Sequence, residues 1–265
     1  MKIAMAQMAV EQADFPANLA KAKLFAARAR EGGADMLVLP EMFACGFNYK
    51  KNAEYLAQHQ NEMIAEVKNA AKDNGIFLCG SLPFLEENQS APANRMLLVN
   101  PSGEIAAHYD KAHLFSLFRE NIHSRAGNEI VVADTPFGKI GLAVCYDLRF
   151  PEMFAKMARR GARLVVVSAA WPYPRLEHWR VLAKARAIEN QFFVAAVNQG
   201  GTENFAGKTL RYFGDSQTID PWGETAASCG TDAPDALAFA EIDFAQVDEV
   251  RARIPAFKDR RDDLY

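Results

Sequence analysis

Two textures alternate along this chain. Short, nearly unbroken apolar runs read as strands buried on both faces, and longer stretches with apolar residues every three or four positions read as helices. Lys2 to Met8 is the first run. Asn18 to Glu31 is predicted as a helix, with Leu19, Ala22, Ala26 and Ala29 at helical spacing and Gly32-Gly33 as its stop. Met36 to Leu39 is a short buried strand, about Asn52 to Asn74 a longer helix ending at Gly75, and Ile76 to Gly80 the next strand. Arg95 to Asn100 and Glu104 to Tyr109 flank the turn Pro101-Ser102-Gly103 and predict a hairpin.

The alternation then resumes. Lys139 to Val144 is an apolar strand, and Pro151 to Arg160 a helix with proline in its first turn. Leu164 to Val167 and Phe192 to Val197 are strands on either side of a helix from Leu176 to Asn190. Ser216 to Asp220, a Pro221-Trp222-Gly223 turn and Leu237 to Ile242 close the sheet region, and the tail after Arg253 has no clear period. This order predicts an α/β protein whose sheet is mixed. A β-sandwich flanked by helices is the preferred architecture, and periodicity alone does not separate it from a single twisted sheet. Without internal repeats or a linker rich in Pro, Gly or Ser, residues 1–265 are read as one domain.

Composition narrows the function classes. The 265 residues are 50% hydrophobic and 24% charged, ordinary for a soluble globular chain. The formal net charge is −3, and the densest basic cluster, Arg159-Arg160 with Arg163, sits at a predicted helix end, so no nucleic-acid partner is expected. No run of about 18 apolar residues predicts a membrane span. The N-terminus lacks a signal-peptide pattern. Cys45, Cys79, Cys145 and Cys229 are widely and irregularly spaced, which argues against a zinc ribbon or a disulfide framework and favours a reducing cytoplasm. His108, His113 and His123 lie close in sequence without metal-ligand spacing, so no metal site is expected.

Three residues carry candidate chemistry because each sits just past a predicted strand end, where open α/β sheets bind ligands. Glu41 leaves an apolar strand through Pro40; such surroundings raise a carboxyl pKa toward that of a general base. Taken alone it also reads as a surface carboxylate at a helix start. Lys111 follows the hairpin and, taken alone, reads first as an exposed edge residue. Cys145 lies between a strand and a helix, a turn that exposes a nucleophile and frees backbone N–H groups for an oxyanion; a buried structural cysteine is the competing reading. Together the three supply a nucleophile, a base for its proton and a cation for the oxyanion.

The segments LPEMF, YDKAHLF and CYDLRFPE, in that order and spacing, resemble the three signature segments of the nitrilase superfamily of carbon–nitrogen hydrolases. The resemblance covers essentially the whole chain. It implies an α-β-β-α sandwich that pairs across a homodimer into four layers. It also implies Glu41 as general base, Lys111 as oxyanion stabiliser and Cys145 as nucleophile, with no metal or organic cofactor. Glu120, in LFRENIHSRAG, matches the second glutamate many members carry.

The segments SAAWPYPRLEHWRVLAKARAIENQ and GDSQTIDPWGE resemble the omega-amidase branch. That branch implies a small-molecule substrate, a dicarboxylic monoamide such as 2-oxoglutaramate or 2-oxosuccinamate. A carboxylate on the substrate asks for a cation; Arg175 is the first candidate and Arg149 the second, with an ion pair to Glu152 as the bland reading of Arg149. Phe43, Tyr146 and Trp171 are expected as pocket walls, or equally as plain core. Arg186 and Glu189, three apart on one helix, read as a structural pair. The alternatives are another amidase or carbamoyl-amide hydrolase of the superfamily, a true nitrilase, or a catalytically silent binding or scaffold protein on the same fold.

Overall fold

The computed structural model describes residues 1–205, 207–261 and 263–264. The chain opens with β1 (Lys2–Gln7), α1 (Phe15–Glu31), β2 (Met36–Val38), α2 (Tyr49–Asn74) and β3 (Phe77–Phe84). The predicted hairpin follows as β4 (Ala93–Val99) and β5 (Ile105–Asp110), then the short helix α3 (Glu120–His123). Next come β6 (Val132–Thr135), β7 (Gly138–Val144), α4 (Pro151–Arg159), β8 (Leu164–Ala169), α5 (Leu176–Asn190) and β9 (Phe193–Asn198). The last stretch holds a hairpin of β10 (Gly200–Phe205) and β11 (Lys208–Phe213), then β12 (Gln217–Ile219), β13 (Thr225–Ser228), β14 (Ala236–Glu241), α6 (Ala245–Arg253) and α7 (Ala256–Asp259).

Two six-stranded sheets form, ordered β14-β1-β2-β3-β4-β5 and β13-β12-β9-β8-β7-β6. Each has three parallel strands at its centre, β1-β2-β3 in one and β7-β8-β9 in the other. Antiparallel strands flank both centres.

Alternation along the strands explains the layers. Ile3, Met5, Met36 and Val38 share one apolar cluster with β7, β8 and β9. Their neighbours Ala4, Ala6, Leu37 and Leu39 join the cluster that holds Phe25 and Ala26 of α1 and Val67 and Ala71 of α2. Phe154 and Met157 of α4, with Trp179 and Ala183 of α5, pack with the second sheet. The architecture is the α-β-β-α sandwich, which resolves the choice against a single sheet. Strands buried on both faces carry no polar alternation, so they read as unbroken apolar runs.

Helix caps move two predicted boundaries. Asp14 accepts from Ala17 N at 3.1 Å and starts α1 ahead of its apolar pattern; Asn48 does the same for α2, accepting from Lys51 N at 3.2 Å. Gly75, with φ of 60°, ends α2 in the left-handed conformation that glycine adopts without strain. The β10–β11 hairpin was not predicted, because Gly200-Gly201-Thr202-Glu203-Asn204 offers no apolar run. Helix α6 and the short α7 carry too weak an apolar stripe to show in the sequence. Residues 262 and 265 of the predicted tail, and residue 206, lie outside the described residues.

Candidate active site

Glu41 follows β2, Lys111 follows β5 and Cys145 follows β7. The two sheets bring these strand ends together. Ser168 Oγ, near the end of β8, donates to Leu39 O at 2.8 Å, and Glu41 N donates to Ala169 O at 3.3 Å. These bonds pin the end of β2 in one sheet to the end of β8 in the other. Ala170 N then donates to Glu41 Oε2 at 3.0 Å.

Lys111 Nζ lies 2.8 Å from Glu41 Oε1 and 2.7 Å from Glu120 Oε2. The Cys145 thiol donates a hydrogen bond to the Glu41 carboxylate. Glu41, Lys111, Glu120 and Cys145 all line one cavity of about 380 Å³. Lys111 is 1% exposed, so its reading as an exposed edge residue is corrected: two carboxylates and a fold across β4 hold it inside. Glu120 is held by three donors, Lys111 Nζ, Asn94 Nδ2 and Phe115 N.

Cys145 sits at a sharp turn with φ of 46°, directly after β7 and at the start of a 3-10 turn that runs to Arg149. Met42, beside Glu41, and Arg119, beside Glu120, are also non-glycine residues with positive φ, at 49° and 58°. Such backbone costs on the order of 1–3 kcal/mol per residue and persists only where the surroundings impose it. Here the surroundings are visible. The buried Asp147 accepts from Val144 N at 2.8 Å, from Tyr109 OH at 2.8 Å and from His113 N at 3.2 Å. Its Oδ1 also lies 2.7 Å from His113 Nδ1. Asp147 therefore ties the cysteine turn to both sides of Lys111. The turn does not lift the thiol into bulk water, as the sequence reading expected: Cys145 is 8% exposed and opens only into the cavity.

Electrostatics follow from burial. Desolvation raises the Glu41 pKa, the Lys111 charge opposes that and the Glu120 charge adds to it. Desolvation also works against the Lys111 ammonium, but Glu120 and Glu41 outweigh it and hold its pKa well above the usual lysine value. Burial, with the Glu41 charge, pushes the Cys145 thiol well up, so the resting sulfur keeps its proton. A protonated thiol beside a carboxylate of raised pKa is an acid–base pair in which the proton can pass from sulfur to oxygen.

The rest of the cavity is aromatic and cationic. Phe115, Phe118, Tyr146 and Trp171 line it, with Arg149 and Arg175. Phe43 does not: its ring lies in the core against Gly80, where a Cβ would stand 3.0 Å from Phe43 Cδ1. Phe47, further along the same loop, takes the cavity position instead. Its N–H is held by the buried Glu203 at 2.7 Å, which also accepts from Tyr212 OH and Gln12 Nε2. Arg149 stacks on Trp171 at 4.8 Å and donates to His178 Nδ1 at 3.2 Å, rather than pairing with Glu152. Among the described residues neither Arg149 nor Arg175 has an acidic partner. Arg186 pairs with Glu189 at 2.7 Å, as expected of a structural pair.

Sequence reasoning missed Asn94, Asp147, Glu203 and Phe47. Asn94 lay one residue outside the strand predicted from Arg95 to Asn100; the structure extends that strand to Ala93 and buries it along its whole length. Among the described residues no group of three His, Cys, Asp or Glu side chains is placed to hold a metal ion, and no helix is long and apolar enough to cross a membrane.

Comparison with known proteins agrees with this geometry. The family model described as carbon-nitrogen hydrolase matches residues 2–252. The chain is 37% identical over 251 residues to the 2-oxoglutaramate amidase of Bacillus subtilis, covering 94% of this chain and 93% of that protein. The crystal structure of the Caenorhabditis elegans NitFhit protein superposes with a TM-score of 0.89 at 35% identity; all of this chain is covered, but it spans only 66% of that longer chain. A glutamate-to-glutamine mutant of the amidase from Nesterenkonia sp. AN1 is similar, at 29% identity and a TM-score of 0.85, over 100% of this chain and 95% of that one. That structure shows covalent addition of the acetamide moiety of fluoroacetamide at its active-site cysteine. The chain described here belongs to the carbon–nitrogen hydrolase family and is a hydrolase of carbon–nitrogen bonds.

Proposed function

We propose that this chain is a cysteine-dependent amidase of omega-amidase type, releasing ammonia from the terminal amide of small monoamides such as 2-oxoglutaramate or 2-oxosuccinamate. The observation that carries the reading is one cavity holding a thiol and an ammonium that both meet one carboxylate, with two arginines on its wall that have no acidic partner among the described residues. The similarity to a 2-oxoglutaramate amidase supports the choice of substrate.

In the first half-reaction Cys145 sulfur attacks the amide carbon while Glu41 takes the thiol proton. The carbonyl electron pair moves to oxygen, where the Lys111 ammonium faces the developing charge. One such preorganised donor is worth roughly 3 kcal/mol in the transition state. Glu41 passes the proton to the amide nitrogen, the C–N bond breaks, and ammonia leaves a thioester. In the second half Glu41 takes a proton from water, the hydroxide attacks the thioester carbon, and the C–S bond breaks. The sulfur recovers the proton from Glu41 and the carboxylic acid is released. Glu120 holds Lys111 in place. Arg175, with Arg149 beside it, pairs with the remote carboxylate of the substrate; Tyr146 and Trp171 wall the acyl chain. These steps use side chains alone.

We place residues 1–265 in a single domain, working in the cytoplasm as a homodimer. Val181 and Ile188 on α5, 61% and 52% exposed, leave apolar surface there for a second copy; sedimentation at two protein concentrations tests the pairing. The test of function is a panel read by ammonia release, containing 2-oxoglutaramate, 2-oxosuccinamate, an N-carbamoyl amino acid, a neutral aliphatic amide and a nitrile. The two monoamides should give the highest kcat/KM. Preference for the carbamoyl compound or the nitrile would reassign the pocket, and no turnover of any of them would point to a silent scaffold.

A further inference from the structure

We infer that Asn94 is a positioning residue for the acid–base chemistry: its amide bridges Glu41 and Glu120 and keeps the Glu41 carboxylate ionised and aimed at Cys145. The inference rests on the amidase reading above for its kinetic form, but its geometric basis stands apart from any particular substrate.

Asn94 is 2% exposed and lies on β4, the strand that pairs with the one preceding Lys111. Its Nδ2 donates to Glu41 Oε1 at 2.8 Å and to Glu120 Oε1 at 3.0 Å. Its backbone carbonyl accepts from Lys111 N at 2.9 Å. One residue thus touches Glu41, Glu120 and the backbone of Lys111. The amide orientation is set by chemistry, because both neighbours are carboxylate oxygens and can only accept when ionised. Among the described residues Asn94 Oδ1 has no hydrogen-bond partner, although it is buried. The side chain is oriented by its two donated bonds. It is placed to direct both N–H bonds at the two carboxylates.

The effect has a sign. A donor to a carboxylate favours the ionised form. Glu41 must be ionised to take the thiol proton. It faces Lys111, Glu120 and Cys145, with Tyr49 and Tyr212 also in its field. Lys111 is the one cation in that set, and Glu120 acts against ionisation of Glu41. Asn94 works on the side of Lys111. Its amide has no acidic proton to exchange and it does not itself line the cavity, so its role runs through Glu41 and Glu120.

The test is the pH profile of Cys145 in Asn94→Ala and Asn94→Asp, read by the rate of alkylation with iodoacetamide and by kcat/KM for 2-oxoglutaramate. Asn94→Leu, also without a donor, stands in for Asn94→Ala if the latter does not fold, and circular dichroism sets the folded fraction. Asn94→Ala should move the acid limb of the alkylation profile up by about one pH unit, the order expected for one lost hydrogen bond to an ion, and Asn94→Asp, which adds a third carboxyl there, should move it in the same direction. The loss of kcat/KM should be about tenfold or more at pH below the shifted limb and should shrink above it. Folded variants whose alkylation limb stays at the parent's pH would overturn the inference, even if their activity falls, since a merely structural residue lowers the rate without moving the limb. If the parent alkylates normally but hydrolyses none of the amides, the substrate assignment fails while the shift in the alkylation limb still decides the role of Asn94.

Discussion

Replacing Lys111 by methionine removes the cation that two buried carboxylates share. Lys111 Nζ lies 2.8 Å from Glu41 and 2.7 Å from Glu120, and all three side chains are at most 2% exposed. Methionine fills much of the same volume, so little of the loss comes from a cavity. Breaking a buried charge cluster by removing one partner costs about 3–5 kcal/mol, a large share of the roughly 5–15 kcal/mol that holds a native protein together. The damage depends on pH. Glu41 already has a raised pKa from burial, and loss of Lys111 raises it further above the unfolded value. A carboxyl raised in the folded state contributes stability below its unfolded pKa and loses it as pH rises through the folded pKa. Lys111→Met should therefore be weakest at about pH 8 and recover toward about pH 5, opposite to a protein whose carboxylates are stabilised as ions. Urea unfolding at both pH values measures this. The midpoint of the variant should fall by more than about 1 M at the higher pH and by clearly less at the lower one. Ammonia release should drop about 100- to 1,000-fold at both, from loss of the oxyanion partner. A variant with the parent's midpoint at both pH values would refute the idea that the three charges hold one another in a dry site.

Other perturbations separate chemistry from scaffold. Cys145→Ala should abolish ammonia release while its urea midpoint stays near the parent's, because it removes only one sulfur from the cavity wall; substantial residual turnover would remove Cys145 from the nucleophile's role. Arg175→Ala should raise KM about tenfold for amides bearing a carboxylate and leave neutral amides nearly unchanged, as expected for loss of one charge-assisted pair. If Arg149→Ala produces that split and Arg175→Ala does not, the carboxylate sits against Trp171 instead.

The backbone plan was legible because parallel, doubly buried strands leave unbroken apolar runs, and the three strand ends carrying Glu41, Lys111 and Cys145 could be placed from those runs. What the sequence could not show is contact across the sandwich. Nothing in the spacing of Glu41 and Ala170 announces their 3.0 Å hydrogen bond, because it depends on two sheets stacking in one register. Phe43 and Phe47 look equivalent in the loop after Glu41. The left-handed turn at Met42 and the grip of Glu203 on Phe47 N decide which one reaches the cavity. Asn94 was hidden for a related reason: beside the polar Arg95 it fell outside the strand read from Arg95 to Asn100, and only the structure extends β4 back to Ala93 and buries it. The β10–β11 hairpin escaped notice because β10 carries Thr202, Glu203 and Asn204 in place of an apolar run, and the burial of Glu203 depends on the hydrogen bond from Tyr212 OH.

The amidase chemistry requires a thioester on Cys145, formed with loss of ammonia. Mixing the enzyme with 2-oxoglutaramate, quenching in acid within the first turnover and measuring the intact mass tests it most directly. A species heavier by the acyl group should appear, mapped to the peptide containing Cys145 and absent from Cys145→Ala. Steady ammonia release through an enzyme that is never acylated, with Cys145→Ala still turning over, would contradict it.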